Sequence, residues 1–155
     1  MKRISGYPGC MACGQANPRG LRLELYFTEG RVETRFRLPA YAQGFPGAVH
    51  GGVLCTILDE VMAWAAIETT GRFFVTGEVC VRFLAPAAPG DEILAWGEIA
   101  EDRRRYFVCR GEVLGADGRQ LAKAEGKFFP VPPEKQAEME ERWRRDAAAW
   151  GEARP

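Results

Sequence analysis

Between Gly52 and Ile67 nearly every residue is apolar, at all angles around a helix, and two acids, Asp59 and Glu60, stand in the middle of the run. A helix that is apolar all round is either a membrane span or the centre of a core. About fifteen residues is short for a span, and adjacent carboxylates argue further against one. The stretch therefore reads as a helix buried inside a sheet. A loop rich in Gly and Pro, from Gln43 onward, delivers it through His50-Gly51-Gly52, and Gly71 closes it as a C′ glycine.

The flanks supply the sheet. Leu21, Leu23, Leu25 and Phe27 alternate with Arg22, Glu24 and Tyr26, which predicts a half-buried strand. Glu29-Gly30 turns the chain, Val32, Thr34, Phe36 and Leu38 form the returning strand, and Pro39 ends it. After the helix four more strand patterns follow, over 73–84, 92–101, 105–114 and 120–129, the last pair joined by an Asp117-Gly118 turn. In the last strand Ala122, Ala124 and Gly126 share one face, small enough for a helix to lie close. Two strands, one helix and four strands predict an α+β fold in which a twisted antiparallel sheet curls around a single central helix. Pro133 opens a final helix whose Met139, Trp143, Ala147 and Trp150 make one apolar stripe, a packing face. The expected divisions are an N-terminal segment 1–20, a core domain 21–130 and a C-terminal helical segment 131–155.

The charge balance excludes some partners. Lys plus Arg and Asp plus Glu number 21 each, so no net field recruits nucleic acid or an anionic membrane. Five cysteines without a secreted-protein pattern suit free thiols in a cytoplasmic setting. Met1-Lys2-Arg3 is followed by no apolar h-region, so no targeting segment is expected. Cys10-x-x-Cys13 has the spacing of half a zinc site. Cys55, Cys80 and Cys109 stand singly, so no second pair completes it, and a packed segment without metal is expected.

The helix start carries the chemistry. The first backbone N–H groups of a helix lack intrahelical partners and carry the positive end of its dipole. Such groups polarise a carbonyl or hold an oxyanion, and glycine lets a substrate approach them. A carboxylate is then needed to activate water or to attack directly, and Asp59 is the candidate. His50 and Asp59 lie about 13.5 Å apart along the axis and about 180° apart in direction. They cannot meet on one substrate atom from the same helix, so a shared site requires a homodimer with two reciprocal sites. Glu60 points about 100° away from Asp59 and reads as a structural or solvated acid, second choice as a base. The plain alternative for Asp59 is an interface acid paired with an arginine. Cys55, with no second His in the chain, reads as inert.

Three motifs carry a family resemblance. The run Gly47-x-x-His50-Gly51-Gly52-x-x-x-x-x-Leu58-Asp59 after a hairpin resembles the hotdog-fold acyl-CoA thioesterases of the phenylacetyl-CoA (PaaI-like) type. So do Arg82-Phe83-Leu84-Ala85-Pro86-Ala87-x-x-Gly90-Asp91 and the early Cys10-x-x-Cys13-Gly14-x-x-Asn17-Pro18-x-Gly20-Leu21. Together they cover roughly residues 10–130. The resemblance implies hydrolysis of acyl-CoA thioesters without metal or other cofactor, in a homodimer that can pair into a tetramer. It implies that Gly51 N–H polarises the thioester carbonyl and that His50 positions that group or the loop. Asp59 of the partner chain would be general base or nucleophile. Thr76 matches a Ser/Thr position that orients the water or the acid. Such enzymes often carry Asn six residues before the His. Here that position is Gly44, with Gln43 beside it offering an amide; Gly52 completes the substrate-facing turn. Arg103-Arg104-Arg105 is the only dense basic run, either a solvated turn or a grip on coenzyme A phosphates. Rival readings are a hydratase or dehydratase on the same fold, a non-catalytic acyl-CoA binding module, and a zinc-binding interaction protein built on Cys10 and Cys13.

Overall fold

The computed structural model describes residues 1–152, with side chains described through Trp150. The element order is β1 (Lys2–Arg3), β2 (Tyr26–Thr28), β3 (Arg31–Arg37), a 3-10 turn (Ala40–Ala42), α1 (Gly51–Thr70), β4 (Phe74–Phe83), β5 (Glu92–Asp102), β6 (Phe107–Gly115), β7 (Gln120–Pro130) and α2 (Pro133–Glu152). The seven strands form one antiparallel sheet in the order β1-β2-β3-β5-β6-β7-β4. This is the α+β arrangement expected from the sequence. The C-terminal helical segment was expected to run to 155; residues 153–155 lie outside the described residues.

The central helix is where expected, with Gly71 closing it in the left-handed conformation (φ 68°) and donating its N–H to Ile67 O. Along α1, Leu54, Ile57, Leu58, Val61, Met62, Trp64, Ala65 and Ala66 are buried. The helix touches β3, β5, β6, β7 and β4, five consecutive strands of the sheet. Five strands span about 19 Å across a flat sheet, and a helix with its side chains is about 10–12 Å wide. The sheet must therefore curve around α1 to reach it from both sides. Closest approach is at Gly97 of β5: a Cβ there would stand 2.6 Å from Met62 N and from the Val61 carbonyl carbon. The expected close approach at Ala122, Ala124 and Gly126 contributes buried, small side chains in β7, but it is Gly97 that lets helix backbone rest on strand backbone.

Two differences from the sequence reading concern the first strand and the N-terminus. The ladder expected from Leu21 starts only at Tyr26. Arg22 adopts φ 57°, which breaks extended pairing, and Leu21 and Leu23 instead donate their N–H groups to Met11 and Ala12 carbonyls. The alternation was still informative, because Leu23 and Leu25 are buried while Arg22 and Glu24 are exposed or nearly so. The partner strand it missed, β1, pairs Lys2 with Phe27 and Arg3 with Tyr26. The hairpin after β2 turns at Glu29 and Gly30, both with positive φ (50° and 85°), closing on the Thr28–Arg31 pair.

The C-terminal helix packs by its predicted stripe. Trp143 makes an edge contact with Trp64 of α1 (5.8 Å between centroids) and another with Tyr7 (5.2 Å). Gln136 ties α2 to the chain before β4, accepting from Phe73 N–H at 2.9 Å. Trp150 lies against Gly9, where a Cβ would come within 2.3 Å of the indole.

Inside the sheet, Thr34 is 1% exposed and its hydroxyl has no hydrogen-bond partner. Gly97→Ala should destabilise the fold by roughly 1–3 kcal/mol through forced separation of α1 from β5. Thr34→Val should be neutral or stabilising by up to about 1 kcal/mol. Denaturant titration of both variants checks the pair; an unchanged midpoint for Gly97→Ala would remove the argument that backbone contact sets the helix position.

Candidate active site

The loop before α1 is built to present its first turn. Gln43 and Val49 pair across the loop, Gly44 N–H donates to Ala48 O at 2.9 Å, and His50 N–H donates to Ala42 O at 2.8 Å. Gln43 Oε1 accepts from Gly47 N–H at 3.3 Å, so its amide braces the loop. Gly44 lies against His50, where a Cβ would come within 3.1 Å of the His50 Cα.

His50 is the N-cap of α1. Its backbone is extended (φ −63°, ψ 130°) and its Nδ1 accepts from Gly52 N–H at 2.9 Å. That places the proton of the neutral ring on Nε2. Capping occupies the Gly52 N–H and leaves the Gly51 N–H without a hydrogen-bond partner among the described residues. A Cβ on Gly51 would sit 3.0 Å from the Phe83 ring, so Gly51 lies close beside the end of β4.

Asp59 lies farther along the same helix, and the chain gives it a single side-chain partner. Thr76 of β4 donates its hydroxyl to Asp59 Oδ1 at 2.8 Å. No Lys or Arg of the same chain forms an ion pair with Asp59 among the described residues. Burial raises the Asp59 carboxyl above the ordinary carboxylate value, and the Thr76 hydrogen bond opposes that rise. A cleft of about 380 Å³ opens beside it, lined by Cys55, Thr56, Asp59, Thr76, Gly77 and Glu78 among others. Burial raises the Cys55 thiol, which keeps it a poor nucleophile at neutral pH.

A β-bulge aims Thr76. Thr76 pairs with Phe128 and Glu78 with Lys127, which leaves Gly77 as the extra residue. Gly77 carries no Cβ where one would lie 2.4 Å from the Phe129 ring. The sequence reading missed the bulge, although a glycine inside a strand pattern is its usual signal.

The remaining expected residues divide. Arg103, Arg104 and Arg105 cap the β5–β6 hairpin: Arg103 pairs with Glu101, and Arg104 has φ 63° and donates its N–H to Asp102 Oδ1 at 2.7 Å. This turn lies at the same end of the sheet as Thr76, because Phe107 and Thr76 both pair with Phe128. Within one chain, however, Gly51 and Asp59 stay apart, about 12 Å along the helix axis.

Glu60 is not solvated. It accepts from Trp64 Nε1 at 3.0 Å and from the Cys10 thiol at 3.7 Å, on a different face of α1 from the Asp59 cleft. Burial, above all, raises its pKa to about 7. Cys10, Cys13 and Glu60 form the one group of possible metal ligands among the described residues. The sequence reading looked for a second cysteine pair and missed Glu60.

A lone helix held by a curved antiparallel sheet, with a free N–H at its start and a half-buried acid on a strand hydroxyl, defines a hotdog-type protein with a site suited to carbonyl chemistry. Residues 46–122 match the thioesterase superfamily. The chain is 27% identical over 110 residues to the acyl-coenzyme A thioesterase THEM4 of Bos taurus, covering 69% of this chain and 44% of that protein. The chain thus spans less than half the length of this curated relative. Among solved structures, a thioesterase superfamily protein aligns with a TM-score of 0.72 at 26% identity, over 80% of this chain and 61% of that one. The PaaI protein of E. coli, from the phenylacetic acid degradation operon, aligns with a TM-score of 0.66 at 21% identity, over 72% of this chain and 80% of its own. The superfamily match thus covers the central half of the chain, from the loop before α1 into β7, and the solved thioesterase-superfamily structure extends the likeness to 80% of it.

If His50 serves as the cap, His50→Ala should cost about 1 kcal/mol of stability, and His50→Asn, which also caps, should recover most of it. Thermal melts of the two variants decide this; equal loss in both would separate His50 from capping.

Proposed function

We propose that the protein hydrolyses acyl-CoA thioesters to a carboxylic acid and free coenzyme A, at sites shared between two copies of the chain. The observation that carries this reading is the Asp59–Thr76 hydrogen bond beside an open cleft, with the unpartnered Gly51 N–H out of reach on the same helix. The named activity of the bovine relative and the superfamily match support it.

The second copy joins along β4. That strand ends the sheet with one edge unpaired, most of its residues are exposed, and Val75 and Phe83 are 53% and 52% exposed. Within the chain Gly51 lies beside Phe83, and Asp59 bonds Thr76, so α1 runs antiparallel to β4. An antiparallel pairing of two β4 strands about their middle sets Thr76 of each copy opposite Val81 of the other, two residues from Phe83. Each Asp59 then faces the Gly51 N–H of the opposite chain. A site divided this way agrees with two-fold symmetry.

The chemistry follows. Gly51 N–H, at the positive end of the helix dipole, accepts the growing negative charge on the thioester oxygen. Asp59 takes a proton from water as it attacks, or attacks itself and is released by water. The tetrahedral species collapses with departure of the coenzyme A thiolate, which takes up a proton. Thr76 holds Asp59 in the orientation that points its free oxygen into the cleft. His50 keeps Gly52 N–H engaged, so the dipole ends on Gly51. Gln43 and Gly44 shape the loop that the substrate crosses, and Arg104 and Arg105 of the β5–β6 turn meet phosphate groups of coenzyme A. The working form in this reading is a cytoplasmic homodimer. No helix is long and apolar enough to cross a membrane.

Thiol release from a panel of acyl-CoAs should fall at least 100-fold in Asp59→Asn, with the dimer intact by light scattering. Near-wild-type turnover would remove Asp59 from the reaction, and water addition to an enoyl-CoA without thiol release would indicate a hydratase. Because burial raises Asp59 and the base must be ionised, kcat/KM should decline on the acid side above the ordinary carboxylate range. Thr76→Val removes the hydrogen bond that lowers the pKa, so this acid limb should move to higher pH; a limb that stays in place separates Thr76 from Asp59 ionisation. Finally, Gly51→Val and Asp59→Asn chains, each inactive alone, should regain activity when co-expressed, since mixed dimers hold one intact site. No recovery in verified mixed dimers would place the whole site within one chain.

A further inference from the structure

Cys10, Cys13 and Glu60 have no part in the reaction above, yet each puts one ligand atom within 4.8 Å of the other two. They come from separate parts of the chain: a tight turn in the N-terminal segment and the middle of α1. The turn is closely built. Cys10 N–H donates to Tyr7 O at 2.9 Å, Gly14 N–H to Cys10 O at 3.0 Å, and Ala12 N–H points at Cys10 Sγ from 3.3 Å. A Cβ on Gly6 would come within 2.4 Å of Cys13 Sγ, and one on Gly14 within 2.4 Å of Cys10 O, so only glycine lets the chain close around the two sulfurs.

Glu60 is what makes this more than a pair of cysteines. It is a largely buried carboxylate with no Lys, Arg or His in ion-pair range among the described residues. Its Oε1 is taken by the Trp64 indole N–H at 3.0 Å, while its Oε2 has only the Cys10 thiol, at 4.0 Å. A buried carboxylate beside two sulfurs is neutralised either by a proton or by a cation shared with the sulfurs. A disulfide between the cysteines would supply no positive charge and would leave Glu60 as isolated as before.

The donor set also selects the ion. Two sulfurs and one carboxylate oxygen suit a borderline-soft divalent cation; oxygen-only sites suit magnesium or calcium, and all-sulfur sites suit Cu(I). Around tetrahedral zinc, sulfur and oxygen ligands stand about 3.5–3.8 Å apart. Cys10 Sγ already stands 3.7 Å from Glu60 Oε1, and no two of the three ligand atoms are more than 4.8 Å apart. A cavity of about 550 Å³ adjoins them, lined among others by Tyr7, Trp64, Arg142, Trp143 and Asp146, with room for a water.

We propose that Cys10, Cys13 and Glu60 bind one zinc ion, through two thiolates and a carboxylate oxygen, with water in the fourth position. Binding displaces the protons of the ligands to solvent. The ion joins the N-terminal segment to α1 on a face away from the Asp59 cleft, and holds that segment rather than taking part in hydrolysis.

The test uses the full chain, purified without chelator from zinc-supplemented culture, with metal measured by plasma mass spectrometry. About one zinc per chain is expected, falling at least tenfold in the Cys10→Ser/Cys13→Ser double variant and several-fold in Glu60→Gln. Folding of each variant is checked by circular dichroism. A second measurement is independent of those variants: wild-type protein stripped of metal and titrated with Co(II) should develop thiolate-to-cobalt charge-transfer bands and the intense visible bands of a tetrahedral site. Zinc should bleach them. Three results would overturn the proposal: less than about a tenth of an ion per chain with no cobalt bands, an ion that persists in the double-serine variant, or a chain that takes up no metal when reduced and closes a Cys10–Cys13 disulfide when air is then admitted as oxidant.

Discussion

Everything in this molecule depends on how close α1 lies to the sheet. The helix backbone rests on Gly97 of β5, where a side chain would stand 2.6 Å from it. At that separation the strands on either side must curve to keep contact, and they do so from β3 to β4. Burial of Leu58, Val61, Met62 and Ala65 follows from the wrap. At about 25 cal/mol per Å² of apolar surface removed from water, such side chains dominate the stabilisation.

A helix wrapped by one sheet cannot be covered evenly, and its uncovered edges hold the polar groups. On one edge, beside terminal strand β4, Asp59 is half-buried and meets only Thr76. On another, Glu60 faces inward under the N-terminal segment, with Trp64 and Cys10 as neighbours. Adjacent acids thus have unrelated surroundings, set by the 100° step of the helix. Burial raises both pKa values, yet one carboxylate lines a cleft beside β4 and the other a cavity that it shares with two thiols.

The additions at the ends of the chain are coupled through that second edge. Tyr7, Trp64, Phe73 and Trp143 stack where the N-terminal turn, α1 and α2 converge. The N-terminal segment also donates to and accepts from the stretch before β2, which explains why residues 21–25 alternate like a strand without joining the ladder. Alternation records which side chains are buried; it does not record what the backbone is bonded to.

By itself, the sequence determined the elements whose signals are local. The all-round apolar run made a buried helix, Gly71 ended it, Glu29-Gly30 and Asp117-Gly118 placed turns, and periodicity located five of the strands within a residue or two. The order of elements was enough to predict a sheet curled around one helix, and the helix phase was enough to keep Gly51 and Asp59 apart. Tertiary structure alone decided the contacts made across long separations. It set Thr76 on Asp59 through a bulge at Gly77, laid the helix on Gly97, and brought Glu60 to Cys10 and Cys13. The physical reason is that helix and turn preferences act over a few residues, whereas sheet register and packing join residues tens of positions apart.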